Sequence, residues 1–234
     1  MPDNRKHRGP GPQDSGWFHA DARPNLVSAV ADLSWLLSRG YAETSSLKLV
    51  GDRYRLVERQ RVAVLRSSCS DKALAIRRSR RVEHESLDGR SLRIDGFNLL
   101  LTLESAFGGG VVLGGRDGCY RDLASVHGTY RRVEETGLAL DLAARWLVAW
   151  GAGPCEWLLD APVSNSGRLA ALIRAVHPGW SAVVVPDPDA ILIQSGALVV
   201  SADSAVLDRC GEWVNLARAL VAAGVPKAFV VDLG

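Results

Sequence analysis

Residues 92–100 read LRIDGFNLL. Leu92–Ile94 is a strand candidate, Asn98–Phe107 is a helical stretch, and only Asp95, Gly96 and Phe97 separate the two. A strand that passes at once into a helix is the opening of a βα unit, and the same alternation continues downstream. Further strands are expected at Glu156–Leu159, Ala182–Val185, Ala197–Val200 and Ala228–Val231. The helical stretches around them are Arg121–Tyr130, Val133–Trp150, Ser166–Val176, Asp203–Leu207 and Asn215–Ala223. This pattern predicts an α/β, three-layer domain with a mainly parallel sheet over residues 91–234. Gly108, Gly109 and Gly110, with Gly114 and Gly115, frame VVL in what reads as a flexible hairpin or loop.

Upstream of Ser91 the pattern is helical. Between Asn25 and Arg39, Leu26, Val30, Leu33 and Leu37 recur at i, i+4, i+7 and i+11, which puts them on one face of a helix ending at Gly40. Shorter helices are expected at Ser45–Val50 and Glu58–Arg66. Ser70 then reads as the N-cap of a helix running to Arg81, with Asp71 in its first turn. A small all-helical domain is therefore predicted at residues 23–90, with a boundary near Leu87–Ser91. The basic, Pro/Gly-rich opening MPDNRKHRGPGPQDSG has no apolar segment of the secretory kind, and residues 1–22 are expected to be a disordered tail.

The composition, 47% hydrophobic and 23% charged over 234 residues, is that of a globular protein able to bury a core. No run approaches the roughly 18 apolar residues of a membrane span, since Leu138–Trp150 is broken by Asp141 and Arg145. Cys69, Cys119, Cys155 and Cys210 are widely spaced, as expected of reduced, buried thiols in a cytoplasmic protein. The net charge of +2 hides an asymmetry. Residues 1–94 hold 18 Lys/Arg against 11 Asp/Glu, a balance of +7, while residues 95–234 hold 10 against 15, a balance of −5. That contrast suits a protein holding a polyanion with one part and metal ions with the other. Arg77, Arg78, Arg80 and Arg81 could meet phosphates, or form a solvated basic face.

Four expected strands are followed at once, or within two residues, by an aspartate: Asp95, Asp160, Asp187 and Asp203. In a parallel sheet these residues share one edge, where α/β folds place ligands. Crowded carboxylates repel one another and take up either protons or a hard cation, Mg²⁺ or Mn²⁺ before others. Such ions could activate water and stabilise the charge that builds up when a phosphodiester is cut. Aspartate is also a common N-cap, which gives each position a structural alternative.

Two other segments offer phosphate contacts. His127, Tyr130, Arg131 and Glu134 would share one polar face of a helix, with Arg121 and Asp122 ahead of it. Ser164, Asn165 and Arg168 open the helix after Asp160, where hydroxyls and free N–H groups either bind an anion or cap the helix. An aspartyl phosphatase would need a second aspartate at position 97, which is Phe97. Walker, GxSxG and HExxH patterns are absent as well.

Ile94-Asp95-Gly96-Phe97-Asn98-Leu99-Leu100 resembles the opening strand of PIN-like and NYN domains, which implies a metal-ligand role for Asp95 and a site-shaping role for Asn98. Val199–Asp208, VVSADSAVLD, is similar to the Ser/Thr-x-Asp segment of the same superfamily and implies roles for Asp203 and Asp208. Glu104, Asp117 and Asp122 compete for the acidic position that such domains carry after their early strands. From Asp32 onward, DLSWLLSRGYAE, LKLVGDRY, DGFNLL, GRDGCYRDLASVHGTYRRVEET, LLDAPVSNSGR and SADSAVLDRCG resemble the prokaryotic domain of unknown function 434 family. These resemblances imply a PIN-like domain behind a helical segment. They also imply a Mg²⁺- or Mn²⁺-dependent nuclease acting on RNA before DNA, with a nucleic-acid- or nucleotide-binding module as the alternative. No membrane partner is expected, and a homodimer is left open.

Overall fold

The computed structural model describes residues 7–124 and 130–234. Five helices come first: α1 (Asp14–Trp17), α2 (Arg23–Ser38), α3 (Glu43–Arg53), α4 (Glu58–Ser67) and α5 (Asp71–Arg80). Ser70 caps α5, its Oγ accepting the Ala73 N–H at 3.2 Å. The rest of the chain alternates: β1 (Arg81–Val82), β2 (Leu92–Asp95), α6 (Gly96–Phe107), β3 (Val111–Gly114), β4 (Tyr120–Asp122), α7 (Glu135–Ala149), β5 (Cys155–Asp160) and α8 (Ser166–Val176). It ends with β6 (Trp180–Val185), α9 (Pro188–Ile193), β7 (Leu198–Val200), α10 (Ser204–Leu207), β8 (Trp213–Val214), α11 (Leu216–Gly224) and β9 (Phe229–Asp232).

Six strands form one all-parallel sheet in the order β1-β8-β7-β2-β5-β6. From the central β2 the chain moves outward through β5 to β6, then returns to the other side of β2 for β7 and β8. The strand order therefore reverses between β2 and β7, and open α/β sheets place ligands at the carboxyl ends of the strands flanking such a reversal. Alternate residues face opposite layers, as the pleat requires. Ile94, Trp157, Leu159 and Val200 join α6, α7, α8 and α11 on one face, while Leu158, Val199 and Trp213 join α9 and α10 on the other. The mixed α/β fold with a parallel sheet and leading helices agrees with the sequence reading.

A second, three-stranded sheet runs β4-β3-β9, with β3 antiparallel to β4 and parallel to β9. It accounts for most departures from expectation. The supposed glycine-framed loop is β3: Val111 and Leu113 face the amino-terminal helices and Val112 faces α6, so a strand buried on both sides reads as an unbroken apolar run. The helix expected at Arg121–Tyr130 begins instead as β4. The strand expected near Ala228–Val231 completes this small sheet, not the large one. Helix α6, with ten of its 12 residues buried, lies between the two sheets, which is why it is apolar almost all round.

The amino-terminal helices have no core of their own. Leu26, Ala29, Val30 and Leu33 of α2 and Val64 of α4 pack on Val111, Leu113 and Val231. Nor are residues 7–22 a loose tail. Phe18 is fully buried, and Asp14 is buried against Arg59, with its Oδ2 2.7 Å from Arg59 Nη2. The change of pattern near Leu87–Ser91 thus marks a change of secondary structure and not a break in packing. No helix among the described residues is long and apolar enough to cross a membrane. All four cysteines are buried and free.

Candidate acidic site at the switch point

The site begins with a close approach at a glycine. A Cβ on Gly96 would sit 2.6 Å from Leu159 Cδ2 and 3.0 Å from the Leu158 carbonyl oxygen, so a side chain there would force Leu159 and the β5 backbone to give way. Asp95 is thereby held at the carboxyl end of β2. Its Oδ1 accepts the Asn98 N–H at 3.2 Å, capping α6, and its Oδ2 accepts the Ser201 hydroxyl at 2.9 Å. Ser201 Oγ in turn accepts the Asp203 N–H at 3.0 Å, and Asn98 Oδ1 accepts the Ala202 N–H at 2.8 Å. These four bonds tie the β2–α6 turn to the segment after β7 across the point of strand reversal. Asp203 caps α10 through the N–H groups of Ala205 (2.7 Å) and Val206 (3.1 Å), leaving its second oxygen outside that capping pair.

Asp95, Asp160, Asp189 and Asp203 line one cleft of about 480 Å³, together with Asn98, Asp122 and Arg66. The electrostatics show that the carboxylates feel one another. Burial, reinforced by Asp189 and Asp203, pushes the Asp95 carboxyl up to about 7 against the pull of its hydrogen bonds from Ser201 and Asn98. Burial likewise raises Asp189, with Asp203, Asp160 and Asp187 adding repulsion, and it raises Asp160, with Asp187 adding to it. Asp122 is raised by burial, and Arg66 pulls it back. Among the described residues the Oδ1 of Asp122 is buried without a hydrogen-bond partner, with Arg66 Nη1 at 3.9 Å. A cation held among the carboxylates of the cleft would offset their repulsion.

The spacing is wider than that of a tight three-ligand cage. Among the described residues, the trio of possible ligands whose atoms all lie within 4.8 Å of one another is Glu83, His84 and Glu85, none of which lines the cleft. Mg²⁺ commonly binds through one or two carboxylates and keeps several waters, so carboxylates spread this widely could still hold it.

The remaining sequence candidates fall elsewhere. Asp208 is held outside the cleft by Arg77, at 2.7 Å. Arg121 lines the cleft, but its guanidinium is committed to Asp117 (2.9 and 2.6 Å) and to the Ala202 carbonyl (2.7 Å), so it braces the wall. Arg121 and Arg77 hold the Asp117 carboxyl well below the usual carboxylate range in spite of its burial. Glu104 is buried against Arg8, Tyr130 and Thr136. Of the three residues competing for the further acidic position, only Asp122 faces the cleft. Asp187 caps α9 through the Ala190 N–H, at 2.9 Å, and Asp189 in the first turn supplies the cleft carboxylate in its place.

Among the described residues the polar helix face is not found: Tyr130 is fully buried, residues 130–134 are not helical, and α7 starts at Glu135. His127 lies outside the described residues. Arg131, Asn165 and Arg168 line a separate pocket, and the Ser164 side chain is exposed. Asn165 occupies the N-cap position of α8 with φ +72° but makes no side-chain cap; its amide donates instead to the Tyr130 carbonyl, at 3.0 Å. The basic run on α5 is also committed. Arg77 bonds Asp117 and Asp208, Arg80 the Cys210 carbonyl, and Arg81 Glu83, leaving Arg78 exposed. Sequence reasoning missed Asp189 and Arg66. The doubled Pro-Asp of PDPD was a signal for the first, and nothing local signalled the second.

Residues 25–80 match the family described as Protein of unknown function (DUF434). Residues 84–219, more than half of the chain, match Domain of unknown function (DUF5616). The chain is 31% identical over 157 residues to Uncharacterized protein MJ0935 of Methanocaldococcus jannaschii, covering 67% of this chain and 75% of that protein. No solved structure matches the chain. The family resemblance seen in the sequence thus divides in two, and the acidic cleft takes Arg66 from the first segment and its carboxylates from the second. The chain belongs to the family described as Domain of unknown function (DUF5616), carrying the DUF434 segment ahead of it.

Proposed function

We propose that this protein is a divalent-metal-dependent nuclease that hydrolyses phosphodiesters, with RNA the first substrate to test. The observation that carries the reading is the meeting of Asp95, Asp160, Asp189 and Asp203 in one cleft at the strand reversal, which Asp122 also lines. The resemblance of residues 94–100 and 199–208 to PIN and NYN domains supports the same chemistry. Bound Mg²⁺ or Mn²⁺ would supply an activated water and charge stabilisation at the phosphorus. Asp95 and Asp203 would hold it, oriented by Ser201 and by the Asn98–Ala202 bond. Asp160 and Asp189 would position a second ion or its waters.

The test is cleavage of end-labelled single-stranded RNA and DNA by the purified chain with Mg²⁺, Mn²⁺ or EDTA. Cleavage is expected with metal only, and it should be lost in Asp95→Asn and in Asp203→Asn. No cleavage of either polymer with either metal rejects the proposal. The wide spacing of the carboxylates favours the second reading, a non-catalytic nucleic-acid- or nucleotide-binding protein, which predicts metal-independent binding alone.

A further inference from the structure

The nuclease reading leaves one feature unused. Arg131, Arg132, Asn165 and Arg168 line a second pocket of about 350 Å³ floored by Leu169 and Leu172, and no acidic residue lines it among those described. Its two walls come from distant parts of the chain and are stapled together. The Tyr130 N–H donates to the Ser164 carbonyl at 3.2 Å, and Asn165 Nδ2 donates to the Tyr130 carbonyl at 3.0 Å. Tyr130 is itself anchored: its ring packs on Phe97, with centroids 5.2 Å apart, and its hydroxyl bonds Glu104. The arginines after Tyr130 therefore converge on Arg168 in the first turn of α8, whose positive dipole end adds to the field. Neither Arg132 nor Arg168 makes an ion pair among the described residues, although nearly every arginine of the amino-terminal helices does or bonds a carbonyl. Arg132 and Arg168 are both exposed, so an anion can reach them from solvent.

We propose that this pocket binds a backbone phosphate of a polynucleotide whose neighbouring link enters the acidic cleft. The inference rests on the nuclease reading and deepens it. Asp160 lines the cleft and Asn165 lines the basic pocket, five residues along one loop. An extended chain spans at most about 18 Å over that length, so the two sites lie within a few nucleotides of each other. A free phosphate or mononucleotide fills one site; only a polymer carrying several phosphates reaches both. In the absence of metal the acidic cleft repels phosphate, so the basic pocket is where the polymer first holds.

The experiment measures fluorescence anisotropy of a short labelled single-stranded RNA with the full chain in EDTA, over a salt series. The proteins compared are wild type, the Arg132→Ala/Arg168→Ala double variant, and Arg78→Ala as an exposed-arginine control. The double variant is expected to bind about 10-fold or more weakly, with a salt slope reduced by about 1, since each phosphate contact on a single strand contributes roughly 0.7. Arg78→Ala should match wild type, and thermal melts should show all three folded. Wild-type affinity in the double variant overturns the proposal, as does the absence of RNA binding by wild type. Inorganic phosphate competing as well as unlabelled RNA at equal phosphate concentration overturns the polymer assignment. Weakened binding in the double variant with no cleavage under any metal keeps the pocket and removes the nuclease. Metal-dependent cleavage with unaltered binding does the reverse.

Discussion

If burial and its acidic neighbours push the Asp95 carboxyl up to about 7, then Asp95→Asn should make the metal-free protein more stable at neutral and alkaline pH. The folded state then binds a proton that the unfolded chain, with its ordinary value of 3.8, has released. Stability contributed by this group is full below about pH 4 and is lost as pH rises through about 7. The shift is a little over three units at 1.36 kcal/mol each, an upper figure of about 4 kcal/mol for the cost of the charged form above pH 7. For a chain of this size that is on the order of 10 °C in Tm. Asparagine removes the charge and keeps an oxygen to accept the Asn98 N–H, while its amide can donate to Ser201 Oγ. Melts of wild type and Asp95→Asn in EDTA should therefore coincide near pH 4 and separate progressively towards pH 8, with the variant higher. Asp122, Glu104, Asp160 and Asp189 are shifted in the same direction but are present in both proteins, so the difference between the curves belongs to Asp95. A difference that stays flat with pH, or a variant that melts lower at pH 8, would refute the electrostatic account of the cleft.

Saturating Mg²⁺ at pH 8 should raise the Tm of wild type and raise that of Asp203→Asn by much less; equal shifts would place the ion elsewhere. Asp117→Asn leaves the buried Arg77 and Arg121 with a neutral partner and should cost about 3–5 kcal/mol in chemical denaturation. Phe18→Ala should cost about 3–5 kcal/mol if the first residues are part of the core, and nothing measurable if they are a loose tail. Gly96→Ala should cost about 1–3 kcal/mol and abolish stabilisation by Mg²⁺, because the new Cβ meets the Leu158 carbonyl and displaces Asp95; a silent substitution would refute the close-approach argument.

What was legible in the sequence was legible for local reasons. Ser70 before Asp71 marked a real cap, and the aspartates after β2, β5 and β7 line one cleft because parallel strands share an edge. The missed features depend on contacts between distant segments. Val111-Val112-Leu113 carries no alternation because both its faces are covered, so the second sheet was hidden and β4 read as helix. Tyr130 appeared on a polar helical face because nothing local shows that Glu104 and Phe97 enclose it. Asp189 lost to Asp187 by position after the strand, although Asp187 is the one used as the cap. Arg66 reaches the cleft only because α4 packs on β3, a long-range event without a sequence signature.

The charge asymmetry deserves a different reading from the one composition suggests. The amino-terminal surplus of +7 looks like a polyanion-binding surface, but its arginines are largely internal ties: Arg59 to Asp14, Arg61 to Asp52, Arg66 to the Asp122 and Ala124 carbonyls, Arg77 to Asp117 and Asp208. Several of these bonds reach into the α/β region, and through Asp117 and Arg121 they brace the wall that carries Asp122. The basic segment therefore shapes the acidic cleft from behind. The arginines left to meet a ligand, Arg132 and Arg168, belong to the half with net charge −5, beside the carboxylates they complement. Net charge over a long segment averages such pairs away. Recognition is set within a few ångströms, where one loop carries Asp160 at one end and leads to Arg168 at the other.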